Sequence, residues 1–143
     1  MLHKIKIKYH ANIDKIQSIE KGNWIDLRCA EDVEMKAGDY YLISLGISMK
    51  LPDGYEAHIV PRSSTFKNFG IIQTNSKGII DNSYSGSNDI YMFPAYAIRD
   101  TKILKNSRIC QFRLQKIQDQ IMFEEVDQLD KIDRGGLGST GIV

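Results

Sequence analysis

Apolar residues recur at every second position along this chain, in runs too short for helices and broken by turn residues, and that pattern restricts it to an all-β domain. Ile5, Ile7 and Tyr9 alternate with lysines, and further short β-rich runs cover 41–49, 55–60, 71–73, 90–93, 103–104, 108–114 and 122–126. Lys36-Ala37-Gly38-Asp39, Leu51-Pro52-Asp53-Gly54 and Tyr84-Ser85-Gly86-Ser87 supply turns between them, at the spacing of a β-sandwich or barrel. One short helix is expected after Arg62, where Ser63 and Ser64 can cap 65–68 and Gly70 can end it.

A length of 143 residues is enough for one domain to bury a core without disulfides or a structural metal. Cys29 and Cys110 form no CxxC or Cys/His ligand spacing and are expected to be reduced core thiols. Lysine and arginine total 19 against 18 for aspartate and glutamate, so no broad basic surface advertises nucleic acid, and any anion must be held locally. The first residues alternate charge with apolar groups instead of forming a signal-peptide run, and no stretch reaches membrane-spanning length, so a soluble, cytoplasmic protein with no membrane partner is expected. The organisation expected is a β domain over 1–129 and a flexible Gly-rich C-terminal tail over 130–143.

That tail cannot pack a core, but its chemistry suits phosphates. Its glycines let backbone N–H groups turn toward an anion, Ser139 and Thr140 add neutral donors, and Arg134 can grip a phosphate with two prongs. Plain disorder is the alternative, and the GxxxxGK[ST] pattern of a P-loop is absent. His3, His10 and His58 fit no zinc motif, and no serine sits in a G-x-S-x-G elbow, which argues against a catalytic zinc and covalent catalysis. The remaining polar residues gather between apolar runs: Asp26, Pro61-Arg62-Ser63-Ser64, the stretch from Gly78 to Gly86, and 107–111. Such connections are where a β scaffold holds a site.

In order, Asp26-Leu27, Pro61-Arg62-Ser63-Ser64, Gly78-Ile79-Ile80-Asp81 through Tyr84 and Gly86, Arg108 through Gln111, and Arg134 to Gly141 resemble the five motifs of the trimeric dUTPase family. The resemblance covers residue 22 onward, and the Gly-Ile-Ile-Asp stretch is its most specific part. It implies a jelly-roll-like β fold, a homotrimer with sites between subunits, and hydrolysis of dUTP to dUMP and pyrophosphate. Asp81 matches the aspartate that holds and deprotonates the attacking water, and Gln111 a residue that helps to position it. Ser63 resembles the serine that donates to the phosphates, and Ser64, Gly138, Ser139, Thr140 and Arg134 belong with it as phosphate contacts. Mg²⁺ is implied as the cofactor, held by triphosphate oxygens and waters.

The stretch from Ile72 to Ile79 reads as two strands with a tight connection, and the resemblance implies that this hairpin bonds uracil through main chain, with Gly78 and Ile80 among the substrate contacts. Asn75 matches the position contacting the base, and narrow walls exclude thymine's methyl group. Tyr84 matches the ring under the deoxyribose, where a 2′-hydroxyl would clash. Asp26 and Arg62 match residues that pair with each other across a subunit boundary. Each assignment has a plainer reading: an Asx-turn for Asp81, core packing for Tyr84, a structural ion pair for Asp26 and Arg62. Within the same fold, a dCTP deaminase relative is the alternative; from another class, it is a nucleotide-sensing protein that controls a protein partner.

Three departures from the family pattern stand out. Ser83 replaces an acid, Leu137 replaces the tail aromatic that stacks on uracil, and aromatics crowd the stretch after Gly86. Phe93, with Tyr91 second, is expected to supply the missing ring from a strand that ends at Pro94, with core or interface packing as the other reading.

Overall fold

The computed structural model describes residues 2–17, 19, 21–129 and 132–143. Their strands are β1 (Lys6–Tyr9), β2 (Ile25–Arg28), β3 (Val33–Met35), β4 (Tyr40–Ser44), β5 (Ile47–Lys50), β6 (Tyr55–Pro61), β7 (Ile71–Gln73), β8 (Gly78–Ile80), β9 (Met92–Ala97), β10 (Thr101–Ile103) and β11 (Arg108–Lys116). The helix α1 (Thr65–Phe69) lies between β6 and β7. β2, β11, β6 and β8 form one sheet in that order, β4, β9 and β7 a second, and β1 with β5 and β10 with β3 add two antiparallel pairs. One continuous core lies between them, including Leu27, Ile59 and Phe112 from the first sheet and Ile43, Ile71 and Phe93 from the second.

The period-two reading holds where it was clearest. On β9, Phe93, Ala95 and Ala97 are buried while Met92 and Tyr96 are exposed. The 41–49 run is two strands, because the chain turns at Gly46 with φ +67° and a Cβ there would come within 2.8 Å of Ala30 Cβ. The helix ends as expected at Gly70, whose φ of 62° is left-handed and whose N–H bonds Phe66 O at 2.8 Å. Its start differs. Ser64 takes the N-cap position without a side-chain capping bond. Thr65 ties the turn instead: its Oγ1 accepts from Arg62 N and donates to Ile109 O, both at 2.8 Å.

Other expectations need correction. β2 and β3 are strands that the sequence reading did not mark; their apolar and charged residues do alternate, but over only four and three residues, too short a run to stand out. Residues 122–126 form no strand in this chain; Met122, Phe123 and Val126 are exposed and have no ladder partner among the described residues. β9 runs through Pro94 to Ala97 rather than ending there. Cys29 and Cys110 are buried and unpaired with each other, and burial raises both thiol pKa values, as reduced core thiols require. Asp130 and Lys131, where the expected domain boundary falls, lie outside the described residues.

Candidate active site

The motif residues gather in two places. At the far end of β6, Asp26 on β2 sits between two guanidiniums: Arg62 Nε donates to Oδ1 at 3.1 Å, and Arg108 Nη1 to Oδ2 at 3.4 Å. A β-bulge on β11 allows this, because Arg108 pairs with Arg28 and Cys110 with Leu27, leaving Ile109 as the extra residue that re-aims its neighbours. The Asp26–Arg62 pair forms within one protomer, which corrects the expectation that it bridges subunits. Such half-exposed pairs contribute only about 0–1 kcal/mol to stability. Their consequence here is to hold two cations in place, with one more positive than negative charge facing solvent. Gln111 faces Asp26 across the β2–β11 ladder, and its Nε2 donates to Pro61 O at 3.2 Å. Ser63 is exposed beside Arg62, and Ser64 is half-buried.

The second place is built from β7, β8 and the turn after β8. Asp81 is exposed and accepts the Ser83 N–H at 2.7 Å on Oδ1, while its carbonyl accepts from Tyr84 N at 3.0 Å. The Asx-turn reading of Asp81 is therefore realised, and the exposed carboxylate is a potential base. Hydrogen bonds from the Ser83 hydroxyl, and then from its N–H, hold the Asp81 carboxyl below its ordinary pKa. Serine in place of an acid thus donates to Asp81 where a second carboxylate would repel it. Asn82, which sequence reasoning did not single out, pins the turn by donating to Pro52 O at 2.8 Å and Tyr55 O at 3.1 Å. Only its neighbourhood to Asp81 could have signalled it.

Tyr84 is 38% exposed, so it is not an ordinary core aromatic; its hydroxyl donates to Ile90 O at 2.8 Å and its ring lies 6.2 Å from that of Tyr91. Asn75 is exposed at the turn between β7 and β8, where Lys77 N bonds Asn75 O at 2.6 Å, while Gly78 is buried and Ile80 half-buried. These are the two expected strands with a tight connection, but they do not pair with each other. β7 pairs with β9 and β8 with β6, so they diverge into different sheets and leave a slot with main-chain edges on both walls.

Register separates the two clusters. Ile80 pairs with Ala57, four residues before Pro61 on β6. At a rise of about 3.3 Å per residue, Asp81 and Arg62 stand roughly 15–20 Å apart in one protomer. A cavity of about 510 Å³ is lined by Ile13, Ile16, Trp24, Asp26 and Arg108 but by neither Asp81 nor Tyr84. In the tail, Arg134, Leu137, Gly138, Ser139 and Thr140 are all exposed, with turns closed by Ser139 N to Gly136 O at 2.9 Å and Gly141 N to Gly138 O at 3.1 Å. Phe93 does not overhang the site. It is 0% exposed and so is Tyr91, just before the strand, because both belong to the core; stacking on a base would require the Phe93 ring to leave this packing.

The dUTPase family model matches residues 16–141. The SPbeta prophage-derived deoxyuridine 5′-triphosphate nucleotidohydrolase of Bacillus subtilis (strain 168) is 59% identical over 139 residues, covering 96% of this chain and 98% of that protein. A deoxyuridine 5′-triphosphate nucleotidohydrolase of Helicobacter pylori (strain Shi470) is 36% identical, covering 97% of each. Among solved structures, a Staphylococcus bacteriophage 80alpha dUTPase with dUpNHpp superposes with a TM-score of 0.76 at 16% identity, covering 99% of this chain and 100% of the other. A phage phi11 dUTPase of S. aureus, described with a structural Mg(II) ion, gives 0.75 at 12% identity, covering 88% and 98%. The fold is accordingly the jelly-roll-like one these structures share, and with its motifs and relatives in agreement, the chain belongs to the dUTPase family.

Proposed function

We propose that this protein hydrolyses dUTP to dUMP and pyrophosphate at sites completed between copies of a homotrimer. The observation that carries the reading is Asp81: an exposed carboxylate, kept ionised by Ser83, in a turn that also presents Tyr84 and adjoins the β7–β8 slot. Uracil enters the slot, where Asn75, Gly78 and Ile80 lie along its walls, and the deoxyribose packs on Tyr84. A water beside Asp81 attacks the α-phosphorus; its proton passes to the Asp81 carboxylate, the bond from the α-phosphorus to the bridging oxygen breaks, and pyrophosphate leaves with those electrons.

Arg62, Ser63, Ser64 and Gln111 stand too far from Asp81 to share one substrate within a protomer, so a neighbouring copy supplies them. Two surfaces support assembly. Tyr40, Leu42, Met92, Tyr96 and Ile72 form an exposed apolar face on the β4–β9–β7 sheet, and Ile121, Met122, Phe123 and Val126 are exposed on the segment after β11. The count of three rests on the family resemblance. The tail then closes over the phosphates through Arg134, Gly138, Ser139 and Thr140, with Asp26 holding Arg62 in position.

The donor set suits a hard cation bound through its ligand. Asp81 is a single exposed carboxylate beside hydroxyl and amide groups, so Mg²⁺ would take most of its oxygens from the triphosphate and water. When bound it neutralises charge on the phosphates. Control of a protein partner is compatible with this reading, since phage dUTPases of the same fold are described as controlling transfer of virulence genes.

Asp81→Asn tests the proposal. The amide oxygen can still accept the Ser83 N–H, so the turn survives, but it takes no proton; turnover should fall by about 10²–10⁴ with affinity for a non-hydrolysable dUTP analogue kept. Parallel loss of binding would make Asp81 a contact or fold residue. Ammonia release from dCTP by the parent protein would favour a deaminase.

A further inference from the structure

The slot between β7 and β8 has two free strand edges, and among the described residues no ladder joins one strand to the other across it. One side chain does. Gln73, the last residue of β7, is 5% exposed, and its Nε2 donates to Ile59 O on β6 at 3.1 Å. Ile59 is the ladder partner of Gly78, so this bond ties β7 to the opposite wall of the slot at its root. The amide runs beneath Gly78. A Cβ on Gly78 would lie 3.4 Å from both Gln73 Nε2 and Ile59 Cβ, so the wall is bare where the amide crosses it.

Gln73 Oε1 is buried and has no partner among the described residues. An apolar side chain would leave no such orphan, so the amide is held for its donor end. A hydrogen bond acts over a narrow range of distance and angle, whereas apolar packing has no preferred direction. We propose that Gln73 is a positioning residue that sets the width of the β7–β8 slot, and through it the exclusion of pyrimidines carrying a 5-methyl group. The inference rests on the reading of that slot as the uracil site.

The test uses the full-length protein and the ratio of kcat/KM for dUTP over dTTP, with dUTP over UTP as an internal reference at the sugar end. Gln73→Leu removes the tie while filling the space, and Ile71→Val, a core change on the same strand, controls for lost stability. The dUTP/dTTP ratio should fall by about tenfold or more in Gln73→Leu, within the roughly 10–200-fold that one methylene commands in a fitted pocket. The dUTP/UTP ratio should hold, and Ile71→Val should keep both. Gln73→Met, unbranched and close in volume, serves if leucine does not pack. An unchanged dUTP/dTTP ratio in an active variant, or an equal fall in both ratios, overturns the role of Gln73; so does failure of both variants to fold, which would make it a core residue. If the parent protein does not hydrolyse dUTP, the functional reading itself has failed.

Discussion

Phe93 is where sequence and structure pull apart, and two substitutions separate the possibilities. Its ring is 0% exposed and sits opposite Ile43 in the β4–β9 ladder, inside the main core. Truncating such a ring to alanine costs about 3–5 kcal/mol through lost transfer energy and the cavity left behind. For a domain of this size each kcal/mol lowers Tm by roughly 2–4 °C, so Phe93→Ala should melt about 6–20 °C below the parent in scanning calorimetry. Phe93→Leu keeps most of the volume and should cost less than about 1.5 kcal/mol, yet it deletes the π-face. If the ring does not meet the base, Phe93→Leu binds a non-hydrolysable dUTP analogue as the parent does. A stacked ring is worth about 0.5–1.5 kcal/mol beyond its area, or roughly a 2- to 13-fold change in affinity. A Phe93→Leu variant that keeps its Tm but loses affinity by that factor would refute the core assignment, as would a Phe93→Ala variant that melts with the parent.

Ending the chain after Asp133 should leave a folded, assembled protein with greatly reduced dUTP turnover, because residues 134–143 are exposed throughout; parent-like activity would remove the tail from the site. Ser83→Ala removes the larger of the contributions that lower the Asp81 pKa. A base with a depressed pKa works above that pKa and fails as pH falls through it, so the acid limb of kcat/KM should move up toward the ordinary aspartate value of about 3.9, and an unmoved limb would argue that Asp81 is not the base. Tyr96→Glu places a charge in the centre of the apolar β4–β9–β7 face and should shift sedimentation toward the monomer and abolish turnover together; an active monomer would contradict sites shared between copies.

Much of the site was legible because its chemistry is local. Asp81, Ser83 and Tyr84 lie within four residues, and the turn that orients them needs only an Asx side chain and the N–H groups just after it. Gly70 ends the helix by its own backbone freedom, and alternation along β9 follows from the pleat. Less legible were β2 and β3, whose alternation runs over only four and three residues and whose existence depends on the ladders they join. The segment 122–126 carries apolar residues at both ends like a short strand, but a strand needs a partner edge and this chain supplies none among the described residues.

The sequence by itself determined the all-β class, the family and the residue types of the site, because periodicity and short motifs are properties of neighbouring residues. Tertiary structure decided which of those residues meet. The antiparallel register of β6 and β8 sends Asp81 to one end and Arg62 to the other, the bulge at Ile109 brings Arg108 onto Asp26, and the pairing of β7 and β8 with different strands leaves an open slot between them. It also turned Phe93 inward, since the face of a strand that becomes core depends on the sheet packed against it. Each of these outcomes is set by pairing between segments tens of residues apart, which no local pattern encodes.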